Sequence, residues 1–166
     1  KIFRVEGDVN VRALLKRGYD ELRAAESALA GKEPVATFCP IWMKPLMTIN
    51  GETFMSDMLA LAGMRNVFSD RQRRYPLAAD VTGAPPIEAE GRDTRYPRVT
   101  IEEVRSRNPE LVLLPDEPHP FTDEDAQVFR DAGFSRVVKT SGKDLCWYGA
   151  WTIDALPRVR ALVTSS

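Results

Sequence analysis

Apolar residues at Val11, Leu15, Gly18, Leu22, Ala25 and Leu29 recur in alternating steps of three and four, the spacing of one face of a helix. Arg12, Lys16, Arg17, Asp20, Glu21 and Arg23 fill the opposite face, and Gly31 stops the pattern. Residues 1–10 show neither a helix cap nor strand alternation. The run from Pro34 to Cys39 is apolar and short, which predicts a buried strand. Pro40 and Pro45 interrupt the next stretch, so 41–50 reads as a loop leaving that strand. A second helix is expected over 52–62, with Phe54, Met55, Met58, Leu59 and Ala62 on its buried side and Gly63 at its end. Residues 66–68 have the length of a brief strand.

Residues 69–98 hold Pro76, Pro85, Pro86 and Pro97 and keep no period. So long a stretch without an element is functional or mobile in a compact domain. Regularity returns at Thr100-Ile-Glu-Glu103, which has the form of a capping box, with Val99 and Val104 as its hydrophobic staple. The helix it opens must be short, because Pro109 holds Asn108 out of α geometry. Leu111-Val-Leu-Leu114 is continuously apolar, as in a strand covered on both faces of a parallel sheet. Pro115, Pro118 and Pro120 stiffen the next loop. Thr122 caps a helix whose first turn, Asp123-Glu124-Asp125, suits the positive end of the helix dipole. Arg136-Val-Val138 reads as a third strand and 140–149 as a loop. Asp154 or Thr152 is the expected cap of a last helix running to 163, where Pro157 fits only the first turn.

Helices alternating with short apolar strands predict an α/β fold: a three-layer, Rossmann-like arrangement around a central, mainly parallel sheet. Ligands of such sheets bind beyond the carboxyl ends of the strands. That rule selects three loops, 40–50, 115–121 and 139–149. All three carry aromatic or functional side chains: Trp42 and Met43; Glu117, His119 and Phe121; Trp147 and Tyr148.

Composition removes other readings. The chain of 166 residues is 43% hydrophobic and 28% charged, enough for a core. Its 23 basic and 24 acidic residues give a net charge of −1, against nucleic-acid binding through a basic face. No apolar run reaches the length of a membrane span, and no export signal opens the chain. One histidine, His119, and two distant cysteines, Cys39 and Cys146, are too few to close a structural zinc site. Ser141-Gly-Lys-Asp144 lacks the upstream glycine and following hydroxyl of a phosphate loop, and no dinucleotide, nucleophile-elbow or zinc-protease motif occurs. Asp116-Glu117 is a poor general base, since adjacent acids in a loop are normally solvated. An enzyme is therefore not expected.

The loops are recognisable as a set. Cys39-Pro-Ile-Trp-Met-Lys-Pro-Leu-Met-Thr-Ile-Asn-Gly51, Arg95-Tyr-Pro-Arg-Val-Thr-Ile-Glu-Glu-Val104, Asn108-Pro-Glu-Leu-Val-Leu-Leu-Pro-Asp-Glu-Pro118 and Trp147-Tyr-Gly149 with Ala155-Leu-Pro-Arg158 resemble the substrate-binding proteins of ABC importers for vitamin B12, ferric siderophores and haem. The resemblance covers about residues 10–165. It implies the helical-backbone class, in which two α/β lobes joined by a rigid long helix hold ligand between them. This chain resembles the carboxyl-terminal lobe, 32–166, with 1–31 as the linker and helix leading in; the other lobe and the export signal lie outside it.

The resemblance also implies residue roles. Tyr96, before Pro97, matches an aromatic that stacks on ligand; Met47 matches an apolar ligand contact, with Trp42 close by; Tyr148, beside Trp147, matches an aromatic pair aimed at the ligand. Glu117 stands in the middle loop. Glu102 matches a carboxylate that docks on arginines of the permease. Each has a plainer counterpart: core packing for Trp42 and Trp147, packing on Pro97 for Tyr96, and dipole compensation for Glu102. His119, between prolines, is a stiff loop residue rather than a metal ligand. Met55 and Met58 belong to the core, whereas Met43 and Met47 are adaptable enough to touch ligand. Arg71, Arg73 and Arg74 read as a solvated cluster or an attractor for an anionic chelate. Cys39 and Cys146 are compatible with a disulfide or with two free thiols. The implied protein has no intrinsic cofactor and is not an enzyme. Its ligand is a metal chelate and its partner a permease dimer. It is periplasmic or extracellular and meets the membrane only through that permease or a lipid anchor outside this chain. A metal-cofactor assembly or chelatase-like α/β protein is the alternative.

Overall fold

The computed structural model describes residues 7–164. In chain order the elements are α1 (Val9–Leu29), β1 (Val35–Phe38), β2 (Pro40–Met43), β3 (Leu46–Thr48), α2 (Phe54–Leu61), β4 (Met64–Asn66), α3 (Leu77–Val81), α4 (Ile101–Ser106), β5 (Leu111–Pro115), α5 (Asp123–Asp131), β6 (Val137–Thr140), α6 (Lys143–Cys146) and α7 (Ala150–Thr164). Four strands form one parallel sheet in the order β4-β1-β5-β6. Helices cover both faces, so the expected three-layer α/β architecture is what the chain adopts.

The unbroken apolar run of β5 is a consequence of that layering. Side chains of a strand alternate between faces. Leu111 and Leu113 join the core that the sheet shares with Met55, Met58 and Leu59 of α2 and Ala155, Leu156 and Val159 of α7. Val112 and Leu114 join the opposite core, with Phe38, Phe68, Val104, Ala126 and Phe129. The Phe38 ring lies 5.5 Å from Phe68 and 6.0 Å from Phe129, centroid to centroid.

Several local expectations are corrected. Asp8 does cap α1, its Oδ1 accepting from the Asn10 and Val11 amides at 2.7 and 3.3 Å. The apolar stripe of α1 is only partly covered: Ala25 is buried, Val11, Gly18 and Leu29 are half-buried, and Leu15 and Leu22 are exposed. Residues 41–50 are not a loop but mainly the antiparallel hairpin β2–β3; Pro40 occupies a strand's first position and Pro45 the turn, both places where a missing N–H costs no ladder bond. The brief strand falls at 64–66 rather than 66–68, and 140–149 contains α6. Helix α7 begins at Ala150, upstream of both proposed caps, which leaves Pro157 in its interior. Asp154 pairs instead with Arg17, tying α7 to α1.

The capping box at Thr100 is half made. Thr100 Oγ1 accepts from the Glu103 amide at 3.2 Å, but the Glu103 carboxylate accepts from Arg71 Nε at 2.9 Å. Val99 and Val104, the proposed staple, are both buried in one core. The complete box is at α5, where Thr122 and Asp125 exchange bonds of 2.9 and 3.2 Å. Arg71 is not solvated either. It is buried and also pairs with Asp80 at 3.1 Å, so the long segment 69–98 is pinned by an internal ion network rather than left free.

Candidate functional site

A cleft of about 400 Å³ opens beyond the carboxyl ends of β1 and β5, where the fold rule places ligands. Its first wall is the β2–β3 hairpin, which presents Ile41 and Met47. The second is the segment through Tyr96, and the reason for its position is backbone pairing. The Thr48 amide donates to Pro97 O at 3.0 Å, Asn50 N to Arg95 O at 2.9 Å and Val99 N to Leu46 O at 2.9 Å. These bonds run the chain alongside β3 and bring Tyr96 next to Met47. The third wall is the first turn of α2, capped by Thr53, whose Oγ1 accepts from Ser56 N at 3.2 Å. Phe54 sits there with its ring 4.5 Å from that of Tyr148, which comes just after α6.

Three of the sequence-derived candidates therefore meet in one cleft: Met47, Tyr96 and Tyr148. Tyr148 is exposed and free to contact a bound molecule. The other three surround the cleft without lining it. Trp42 is half-exposed, donates from Nε1 to Lys44 O at 3.1 Å and lies 5.2 Å from the His119 ring. Trp147 is half-exposed too, and its Nε1 donates to Glu117 Oε2 at 3.1 Å. Neither tryptophan is a core residue. Glu117 thus joins the loop after β5 to the loop after α6. A side chain at Gly142 would come within 2.7 Å of the Glu117 backbone, so only glycine lets these loops approach. Glu102 stands apart from the cleft, exposed in the first turn of α4; hydrogen bonds from its own backbone N–H and from Thr100 hold its carboxyl below the usual range.

Sequence reasoning missed Phe54, Pro118 and Cys146 as cleft residues, and Arg73 as an individual one. Phe54 was legible as helix-buried, yet it occupies the first position of α2, where a side chain faces the loops. Cys146 and Cys39 are unbonded. Cys146 Sγ lies 3.6 Å from Met55 Sδ, and burial, reinforced by Glu117 and Asp116, pushes its thiol up to about 11. Burial raises Cys39 as well. Both are neutral thiols near pH 7, with the character of small apolar packing groups. Among the described residues, no three His, Cys, Asp or Glu side chains gather as a metal site, and no helix is long and apolar enough to cross a membrane.

A larger groove of about 540 Å³ runs between α1 and α7, floored by Leu14, Leu15, Leu22, Ile153 and Leu156. It is almost wholly apolar and lacks the directed polar groups that orient a small ligand. The smaller cleft is the candidate site.

No family model matches the chain, and no curated protein is significantly similar to it. Solved structures do match. The periplasmic vitamin B12 binding protein BtuF of Vibrio cholerae superposes with a TM-score of 0.60 at 18% identity, over 88% of this chain and 50% of that one. The periplasmic haem binding protein HutB of the same organism gives 0.64 at 14% identity, over 93% and 56%. An ABC-type Fe3+-hydroxamate transport system from Saccharomonospora viridis gives 0.59 at 15% identity, over 93% and 48%. The chain shares its fold with about half of each of these structures. It spans about half the length of the structures it matches.

Proposed function

We propose that this chain is the carboxyl-terminal lobe of an extracytoplasmic substrate-binding protein of an ABC importer, one that captures a metal chelate and delivers it to a membrane permease. The observation that carries the reading is the convergence of Met47, Phe54, Tyr96 and Tyr148 on one cleft at the carboxyl ends of the sheet. Aromatic and apolar walls with few polar groups suit a large chelate whose metal is already enclosed by its own ligands, and ask for no metal-binding side chain from the protein. Similarity in fold to binding proteins for B12 and haem supports the same cargo class.

In this reading residues 32–166 are the lobe and the helix over 9–29 leads in from a second one. The exposed Leu15 and Leu22 of α1 and the groove that α1 shares with α7 are where that second lobe would pack. Ligand would then be enclosed between the two halves, with Trp42, Glu117 and Trp147 shaping the rim. Glu102, exposed and held ionised at a helix start, is the docking carboxylate for basic sockets on the permease. Such a contact sets register and association rate more than affinity. The role is binding and hand-over, without catalysis.

Intrinsic fluorescence tests this directly. The three tryptophans, Trp42, Trp147 and Trp151, stand on the hairpin, on the loop beside the cleft and on the first turn of α7. Titrating the intact two-lobed protein with cyanocobalamin, haemin and ferric trihydroxamates is expected to give saturable quenching and a sub-micromolar Kd for one of them. A folded protein quenched by none of the three contradicts the assignment.

A further inference from the structure

Three sulfur-bearing side chains line the cleft: Met47 of β3, Met55 in the first turn of α2 and Cys146 at the end of α6. Met55 is buried, and Met47 and Cys146 are half-buried. Two of the sulfurs touch. Cys146 Sγ lies 3.6 Å from Met55 Sδ, nearer than Glu117 O at 3.9 Å. Helical backbone holds this pair in place. Helices α2 and α6 pack on each other. The Cys146 amide donates to Gly142 O at 2.8 Å, and Thr53 caps α2 two residues before Met55, accepting from Ser56 N at 3.2 Å.

The separation of the two sulfurs has a chemical reading. Two sulfurs bound to one tetrahedral ion through bonds of about 2.3 Å stand roughly 3.8 Å apart. Thiolate and thioether are soft, polarizable donors, which select Cu(I)-like ions over the harder ions that prefer oxygen. The single histidine, His119, lies against the rings of Trp42 and Phe121, at 5.2 and 4.7 Å, and does not line the cleft. A monovalent ion held by one thiolate and two thioethers is a neutral unit, so an apolar recess takes it up without burying net charge. Burial, with Glu117 and Asp116, keeps the Cys146 thiol protonated, and the field of those two carboxylates favours an arriving cation. Arg73, the one cation that lines the cleft, opposes it and packs over the Tyr75 ring, 4.9 Å from its centroid.

We propose that Cys146, Met55 and Met47 bind a soft monovalent metal ion, Cu(I) or Ag(I), directly in the cleft. Binding exchanges the thiol proton for the metal. The Cys146 S–H bond breaks, its electron pair forms the sulfur–metal bond, and the proton leaves to solvent. No electron is transferred. The site takes a bare ion rather than one enclosed by its own chelator, so it does not rest on the chelate-binding reading.

Anaerobic titration of the reduced, intact protein with Cu(I), in competition with the chromophoric chelator bicinchoninate, tests this. Ag(I) serves as a second probe that keeps its oxidation state. The expected result is one ion per chain, a sulfur-to-copper charge-transfer band in the ultraviolet, and release of about one proton per ion into weak buffer. Loss of even an outer-shell partner costs metal sites roughly 10–100-fold in affinity. Cys146→Ser should therefore weaken Cu(I) binding by more than about a hundredfold and remove the band. Met55→Leu, close in volume, should weaken it by roughly tenfold. Met43→Leu, whose side chain packs on the opposite core, should leave it unchanged. An unmodified protein that takes no Cu(I) from bicinchoninate overturns the site, a result that needs no variant to fold. Binding and band undiminished in folded Cys146→Ser protein would place the ion elsewhere, at Cys39, and overturn it too. Chelate titrations are read separately, so failure of either proposal leaves the other standing.

Discussion

Asp80→Ala is expected to cost about 3–5 kcal/mol of stability, as loss of one partner from a buried ion pair does. For a chain of this size that corresponds to a fall in Tm of roughly 10 °C. The Asp80 side chain is fully buried and collects four donors: Arg71 Nη1 at 3.1 Å, the Arg74 amide at 2.7 Å, and the Arg98 amide and Nη1 both at 3.4 Å. Removing the carboxylate leaves Arg71, itself buried, with Glu103 as its remaining acidic partner. It also frees both ends of the segment that carries Arg73 and Tyr96, so ligand affinity should fall in conditions where the rest of the fold persists. Asp80→Asn keeps an acceptor oxygen and should cost less. Thermal and urea denaturation measure both variants; a cost below about 1 kcal/mol for Asp80→Ala would show that the network is not what holds 69–98 in place.

The second large effect is expected at Phe38→Ala, also about 3–5 kcal/mol, the range for emptying an aromatic site in a core. Phe38 is fully buried as the last residue of β1, in contact with Phe68 and Phe129, and its loss leaves a cavity that those two rings would have to collapse to fill. Val128→Ala on the exposed side of α5 is the control and should change stability by no more than about 0.5 kcal/mol. Urea denaturation with an unchanged m-value is the readout. A small loss at Phe38 would mean that this half of the core repacks freely.

The architecture was legible because parallel sheets leave a strong trace. Leu111-Val-Leu-Leu114 could be nothing but a strand buried on both sides, and the cap residues Thr100 and Thr122 fixed where two helices begin. Local grammar failed where tertiary partners override it. Two prolines argued for a loop at 41–50, yet both sit where a hairpin tolerates them. Glu103 looked committed to its own helix until Arg71, brought in from thirty-two positions away, outcompeted the backbone N–H. Arg71, Arg73 and Arg74 looked alike as a charge run. Only folding separates a buried structural arginine from its neighbour in the cleft.

Of the candidate site, Tyr148 stood in a loop that the strand-end rule selects, whereas Tyr96, outside those loops, and the role of Met47 came from the resemblance. Phe54 and Cys146 were not legible: helical spacing marks Phe54 as core, and nothing local in 140–149 shows the short helix α6 that carries Cys146 to the cleft. Trp42, Glu117 and Trp147 do not line the cleft; Trp42 is bonded to the Lys44 carbonyl, and Trp147 and Glu117 to each other.

The central claim is that the cleft between Met47, Phe54, Tyr96 and Tyr148 is where a chelate binds, and one titration addresses it. The intact protein and its Tyr148→Ala and Tyr96→Ala variants would be compared by calorimetry with the probe that quenches tryptophan fluorescence most tightly. Truncating a buried aromatic anchor removes about 2 kcal/mol or more of binding. A loss of roughly thirtyfold in affinity in each variant, with stability unchanged, is the predicted result. Affinity unchanged in both variants would place the ligand elsewhere and contradict the account.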